Sequence, residues 1–372
     1  MENDVVIIGG GIIGSTIAYE LAKTTLKVSL IEKNSFSKLE VSGHNSAIVH
    51  SGVDPISGTL KEKYNLIGSR MYEEYARELQ TYYRKINALV VSTSVEGNTH
   101  LCKLVENATK RHIEVKLLSR EEALLIEPNL TSNVLQVLSM PSTAIIDPIH
   151  LTNQALSLAV ENGLTVHYNE EVLSINTLAN GLFEVTTTNK TITTRSVVNA
   201  AGLYASAIEQ LVSNPTFELT FTRGDYIVLN AEASDTFKNV LYPLPTNKGK
   251  GILIVPQING TVLVGPTAVL TTDFLTNPPS TDDIASIKSA AELMVTNIPY
   301  HLQIDTMTGI RPKELNNDFI ITESPIVPLF FNIAGIDSPG IAAAPAIASD
   351  FVSNILLPRL QRWWLAITLF IP

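Results

Sequence analysis

Residues 5 to 14 read Val-Val-Ile-Ile-Gly-Gly-Gly-Ile-Ile-Gly, and no other run constrains the fold as much. An apolar strand enters Gly9-x-Gly11-x-x-Gly14. A small-residue helix over 15–23 follows, and then a second strand, Lys27-Val-Ser-Leu-Ile-Glu32. Each glycine has a physical task. Gly9 permits the tight turn, Gly11 lets the backbone approach a pyrophosphate, and Gly14 lets helix and strand pack closely. The helix N-terminal amides have no intrahelical partners and face the phosphates. Glu32 ends the second strand, where a carboxylate can accept hydrogen bonds from ribose hydroxyls. The whole βαβ unit with its acidic end predicts a bound dinucleotide, which the glycine pattern alone would not.

With 372 residues, the chain is too long for one simple core and suits two domains. A net charge of −10 argues against nucleic acid, which needs a basic face. The single cysteine, Cys102, excludes an intramolecular disulfide and any cysteine-ligated iron–sulfur cluster. It lies in a helix-like stretch without a basic or histidine partner, so a buried or idle thiol is expected. The seven histidines show no zinc spacing, and no metal is expected. The first strand begins by residue 5, which leaves no room for a signal peptide and points to the cytoplasm. The segment 357–372 is apolar over only about ten residues, half of a spanning helix. No transmembrane segment is expected. The Arg362-Trp363-Trp364 end leaves peripheral contact with a membrane open.

Along the chain, a Tyr-, Glu- and Arg-rich helix is expected over 69–84, and a short helix over 120–128 is ended by Pro128. Asp147-Pro148 opens a helix over 149–161 that Asn162-Gly163 closes. Strands follow over 165–168, 183–187 and 196–199, the last running into Asn199-Ala-Ala-Gly202. Residues 217–270 alternate as a mostly antiparallel sheet. A helix returns over 282–297, and the strand 330–334 enters Gly335-Ile-Asp-Ser-Pro-Gly340. The fold class is α/β: a Rossmann-like domain assembled from separated segments, with a β-rich domain inserted. The expected boundaries are 1–80, 143–212 and 305–356 for the nucleotide domain. Residues 85–142 and 213–304 form the substrate domain, and 357–372 a tail.

This layout and a set of ordered segments resemble the FAD-dependent oxidoreductases of the D-amino-acid oxidase superfamily, above all the branch that oxidises glycerol 3-phosphate. The segments are Gly43-His-Asn-Ser-Ala-Ile-Val-His50-Ser-Gly-Val-Asp-Pro55, Leu60-Lys-Glu-Lys-Tyr-Asn-Leu-Ile-Gly68, Gly249-Lys-Gly-Ile-Leu-Ile-Val255, Leu263-Val-Gly-Pro-Thr267, Gly309-Ile-Arg-Pro312 with Asn317-Asp-Phe-Ile-Ile321, and Gly335-Ile-Asp-Ser-Pro-Gly340. The resemblance covers about 2–355 and implies noncovalent FAD. The nucleotide side is assigned Gly9, Gly11, Ile13, Gly14 and Glu32, with Ser42, Gly43, Ser46, Ala47 and Ile48 from the loop over the ring. Val172, Ala201 and Gly202 join from the middle of the chain, and Ile336, Asp337 and Gly340 from the last turn. Asn199-Ala-Ala-Gly202 and the late turn would be superfluous in a simple NAD site. Backbone amides in the late turn suit the stabilisation of a reduced flavin.

The chemistry this implies is oxidation of a secondary alcohol, sn-glycerol 3-phosphate, to dihydroxyacetone phosphate, with O2 reduced to H2O2. His50 is the candidate base, since histidine takes and releases a proton near working pH. An isolated histidine is more often satisfied by a backbone carbonyl. The position after Asn45-Ser46, matching the family's catalytic histidine, favours catalysis. Arg311 offers a planar fork for an oxyanion and Lys250 a point charge. A structural salt bridge and a solvated turn lysine are the alternatives for these two. Ser46 and Ser338 join them as substrate-binding donors by resemblance. Gly43-His-Asn-Ser46 looks more like L-2-hydroxyglutarate oxidases or dehydrogenases, whereas Asp54-Pro55, Lys63-Tyr-Asn65 and Gly249-Lys-Gly251 look like the glycerol-phosphate branch. A flavoprotein that only carries electrons is the alternative of another class. Asp337 stands where the glycerol-phosphate branch is expected to have lysine.

Overall fold

The computed structural model describes residues 2–35, 40–244 and 251–362. Its first layer is an eight-stranded sheet in the order Val172–Thr177, Phe183–Thr187, Thr191–Asn199, Asn3–Ile8, Val28–Glu32, Thr165–Tyr168, extended by Phe330–Ala334 and Ile320–Glu323. Asn3–Ile8 lies parallel to both neighbours, with Val5 beside Val28 and Ile8 beside Asn199. Val5, Val6 and Ile7 are fully buried, which explains the uninterrupted apolar run: a central parallel strand is covered on both faces. The long strand Thr191–Asn199 uses one edge twice. Its first half pairs antiparallel with Phe183–Thr187 and its second half parallel with Phe330–Ala334.

Helices Ile12–Leu21, Leu60–Glu78, Pro148–Glu161 and Gly340–Asp350 pack in this layer, the first against the third and fourth, the second against the fourth. A Cβ on Gly68 would run into the Ala342 carbonyl, so the second and fourth helices cross backbone to backbone. The helix expected over 69–84 starts at Leu60 and stops at Glu78. Thr59 caps it by accepting from Glu62 N. The Asp318 carboxylate, brought from far along the chain, takes Leu60 N at 2.8 Å and Lys61 N at 3.0 Å. At the other end Tyr83–Lys85 is drawn into a small sheet with Ile48–Val49 and Ala144–Ile146. The helix expected over 15–23 is shifted to Ile12–Leu21, and that over 282–297 is shortened to Thr281–Ala291.

The second layer is a nine-stranded sheet built on the antiparallel pair Leu219–Leu229 and Gln303–Glu314. Ala88–Ser92 and Val240–Pro243 form a parallel pair within it. Because Gln303–Glu314 belongs wholly to this sheet, the chain crosses to the first layer after Glu314, not at 305. Cys102 lies on the helix Val95–Lys110 and is exposed, so of the buried or idle thiol expected for it the buried alternative does not hold. The stretch Gly340–Arg362 is long and apolar enough to cross a bilayer by length and composition, but 61% of its most apolar window is buried inside the protein. Trp363 and Trp364, for which peripheral membrane contact was left open, lie outside the described residues.

Candidate active site

The two layers enclose a cavity of about 1200 Å³ that runs from the glycine turn to His50 and Arg311. Ordinary small-molecule clefts hold roughly 300–1,000 Å³, so this one has room for a dinucleotide and a substrate together. At the nucleotide end Gly9 has φ +106° and faces Ala200; a Cβ there would sit 2.5 Å from the Ala200 carbonyl oxygen. A Cβ on Gly14 would run into the Gly9 carbonyl, so this glycine closes the turn against its own helix. Glu32 Oε2 accepts from Gly10 N at 2.7 Å and Oε1 from Asn34 N at 2.8 Å. Both oxygens are thereby oriented, and each keeps a lone pair for a ribose hydroxyl. The helix Ile12–Leu21 has no side-chain cap on Gly11; Ser42 Oγ, from a later loop, takes Ile12 N at 2.9 Å. A helix N-terminus without a side chain on its cap residue, a glycine turn and an oriented carboxylate fit a dinucleotide.

The loop after the second strand is folded by Asn45. Its Nδ2 donates to Val41 O and Ser42 O, and its Oδ1 accepts from Ala47 N at 2.8 Å. Ala47 is held at φ +58°, a left-handed conformation costly for alanine and characteristic of sites that hold a ligand. Ile48–Val49 then pairs with Ala144–Ile146 and delivers His50 to the cavity. Asn65 Nδ2 donates to His50 O at 2.7 Å. Around the ring, Tyr242 Oη lies 3.1 Å from Nδ1 and Ser338 Oγ 3.3 Å from Nε2. Tyr242 is buried, and burial, with the charge of Asp54 adding, pushes its phenol far above the usual range, so it stays protonated.

The loop following His50 is tied down by one buried guanidinium. Arg111 Nη1 donates to Gly52 O and Val53 O, Nη2 to Pro55 O and Ser57 Oγ, and Nε pairs with Glu62 Oε1 at 2.7 Å. Glu62 is pulled below the ordinary carboxylate range by the Gly58 amide first and by Arg111 after it.

Arg311 reaches the cavity from the strand Gln303–Glu314, where it pairs with Thr222. Among the described residues the guanidinium makes one hydrogen bond, to Thr267 O at 2.7 Å. No carboxylate forms an ion pair with it among those residues. Lys61, buried in the first turn of its helix, forms an ion pair with Asp337 Oδ1 at 2.6 Å and donates to Asn317 Oδ1 at 3.0 Å. Burial raises the Asp337 carboxyl above its usual range, and Lys61 opposes the rise. Ser46 Oγ lies 3.1 Å from the buried Tyr226 hydroxyl.

Gly9, Gly11, Ile13, Glu32, Ser42, Ser46, Ala47, Ile48, Val172, Ala201, Gly202, Ile336, Asp337 and Gly340 all line the cavity, together with His50, Arg311 and Ser338. Gly14 and Gly43 do not: the first packs against the turn, and the second donates its amide to Glu40 O. Lys250 lies outside the described residues. Tyr242, Lys61 and Arg111 escaped the sequence reading. The ordered segments contained Lys61, but nothing in its spacing marks it as buried. Tyr242 and Arg111 sit in unremarkable stretches.

The model of FAD dependent oxidoreductases, the D-amino-acid oxidase family, matches residues 4–353. The chain belongs to this family. It is an FAD-dependent oxidoreductase. A glycerol 3-phosphate dehydrogenase of Caloramator mitchellensis is 36% identical over 95% of this chain and 73% of its own length. A glycerol 3-phosphate oxidase of Mycoplasma genitalium is 32% identical over 97% of both. The solved L-alpha-glycerophosphate oxidase of Mycoplasma pneumoniae with FAD bound superposes with a TM-score of 0.88 at 31% identity, covering 98% of this chain and 95% of that one. In this family's terms the two-layer α/β arrangement expected from the sequence is the observed one.

Proposed function

We propose that the protein oxidises sn-glycerol 3-phosphate to dihydroxyacetone phosphate and passes the electrons to O2, forming H2O2. The observation that carries this reading is that His50, with Ser338 Oγ 3.3 Å from its Nε2, and Arg311 line one and the same cavity, in a chain similar over nearly its whole length to glycerol 3-phosphate oxidases and dehydrogenases. Bound FAD supplies the hydride acceptor. His50 Nε2 takes the hydroxyl proton as the carbon–hydrogen bond breaks. Arg311 holds the phosphate through charge-assisted bonds, and Lys250 adds a second cation. Ser46 and Ser338 orient the hydroxyl-bearing carbons. The glycine turn, Ser42 and Glu32 hold the nucleotide half. In this division of labour the eight-stranded sheet carries FAD and the nine-stranded sheet carries the substrate.

The test is anaerobic mixing of the yellow protein with glycerol 3-phosphate and, in parallel, with L-2-hydroxyglutarate. Bleaching by the phosphate alone, followed by peroxide when air is admitted, is the expected result. Bleaching by hydroxyglutarate alone transfers Arg311 to a carboxylate substrate, and bleaching by neither removes the proposal.

Two substitutions follow. Arg311→Ala is expected to raise the substrate dissociation constant at least about tenfold, the loss of one charge-assisted bond; an unchanged constant in a flavin-reduction titration would put the phosphate elsewhere. Glu32→Ala should speed FAD loss on dialysis, and full flavin occupancy afterwards would exclude the ribose contact.

A further inference from the structure

His50 separates two spaces. Its Nε2 meets Ser338, which lines the main cavity, and its Nδ1 meets Tyr242, which lines a second chamber of about 40 Å³. Asp54 and Asn65 line that chamber too, among apolar walls that include Val90 and Leu104. One water needs roughly 10–15 Å³ by the same kind of measure and two or more polar partners, so the chamber has room for at least one.

Asn65 favours one direction for these hydrogen bonds. Its Nδ2 donates to His50 O, which fixes the amide orientation and leaves Oδ1 as a fully buried acceptor without a hydrogen-bond partner among the described residues. A buried acceptor in that condition calls for a water. A water that donates to Asn65 Oδ1 can accept from the Tyr242 hydroxyl. The tyrosine proton then points into the chamber, and its lone pair faces Nδ1. A neutral imidazole carries one N–H, and the partner of one nitrogen decides the state of the other. With Nδ1–H donated to Tyr242, Nε2 is bare. The opposite arrangement, with Tyr242 donating to Nδ1, would protonate Nε2 and disable it as a base.

We infer that Tyr242, backed by a water in this chamber, is a positioning residue that holds His50 in its Nδ1–H form and keeps Nε2 free to take the substrate hydroxyl proton. This rests on the reading of His50 as the base, and the test separates the two. Histidine-¹⁵N-labelled holoprotein is compared as wild type, Tyr242→Phe and His50→Asn, the last identifying the His50 signals by their loss. Above the ring's titration the wild type should show the Nδ1–H form. Tyr242→Phe keeps the buried ring and should shift the population toward Nε2–H. Its anaerobic flavin-reduction rate with glycerol 3-phosphate should fall at least about tenfold, with the substrate dissociation constant within about twofold of wild type. An Nε2–H wild type, or a Tyr242→Phe protein with an unaltered tautomer and rate, overturns the inference. If His50→Asn is slow while Tyr242→Phe is normal, only the positioning role fails; if His50→Asn reduces at the wild-type rate, the base assignment itself fails. A crystal structure with an empty chamber overturns the water bridge.

Discussion

His50→Asn is expected to keep its yellow flavin and to slow anaerobic reduction by glycerol 3-phosphate at least about a hundredfold, the usual scale for losing a general base. That factor corresponds to about 2.7 kcal/mol of transition-state stabilisation. Asparagine preserves the approximate size and can still meet Tyr242 or Ser338, so the cavity wall persists. What it lacks is a nitrogen that takes up a proton near neutral pH. The surroundings of His50 make this substitution informative. Its main chain is held by Asn65 and by the strand pairing of Ile48–Val49, neither of which depends on the imidazole. Rapid mixing under anaerobic conditions separates the reduction rate from substrate affinity, and a rate within a few fold of wild type would remove His50 from the mechanism.

Arg111→Met is expected to destabilise the fold by about 3–5 kcal/mol, the cost of breaking a buried ion pair on one side. The guanidinium side chain is 5% exposed and makes five contacts, three of them to the carbonyls of Gly52, Val53 and Pro55. Methionine fills much of the volume but supplies no donor, and it leaves Glu62 with an uncompensated charge beside its helix. Urea unfolding monitored by flavin release and by circular dichroism measures the change. A loss below about 1 kcal/mol would show that the loop holds itself without the clamp. Because the loop begins two residues after His50, the same variant is expected to lose reduction rate in whatever fraction remains folded.

The parts of this molecule legible in the sequence are those governed by neighbours along the chain. Asn3–Ile8 and its glycine turn follow from an apolar run and a local steric requirement. The helix Pro148–Glu161 was visible from Asp147, which caps it, and from Asn162-Gly163 after it. His50 and Arg311 came from ordered segments. What escaped depends on contacts across long stretches of chain. The helix start at Leu60 is reinforced by Asp318, and the salt bridge of Lys61 is made with Asp337. Arg111 serves a loop more than fifty residues upstream, and nothing near it in the sequence records that service. Tyr242 is an ordinary strand tyrosine until the fold sets His50 against it. The expected boundary at 305 falls inside the strand Gln303–Glu314, which belongs to the nine-stranded sheet.

The strand Phe330–Ala334 lies beside Thr191–Asn199 in the same sheet as Asn3–Ile8, and the turn that follows it supplies Ile336, Asp337 and Ser338 to the cavity wall. The glycine turn and Glu32 come from the early strands and that wall from a much later stretch of chain. Closing the cavity therefore requires the late strand to dock beside Thr191–Asn199, so the lining on both sides of the cavity depends on one long-range strand pairing.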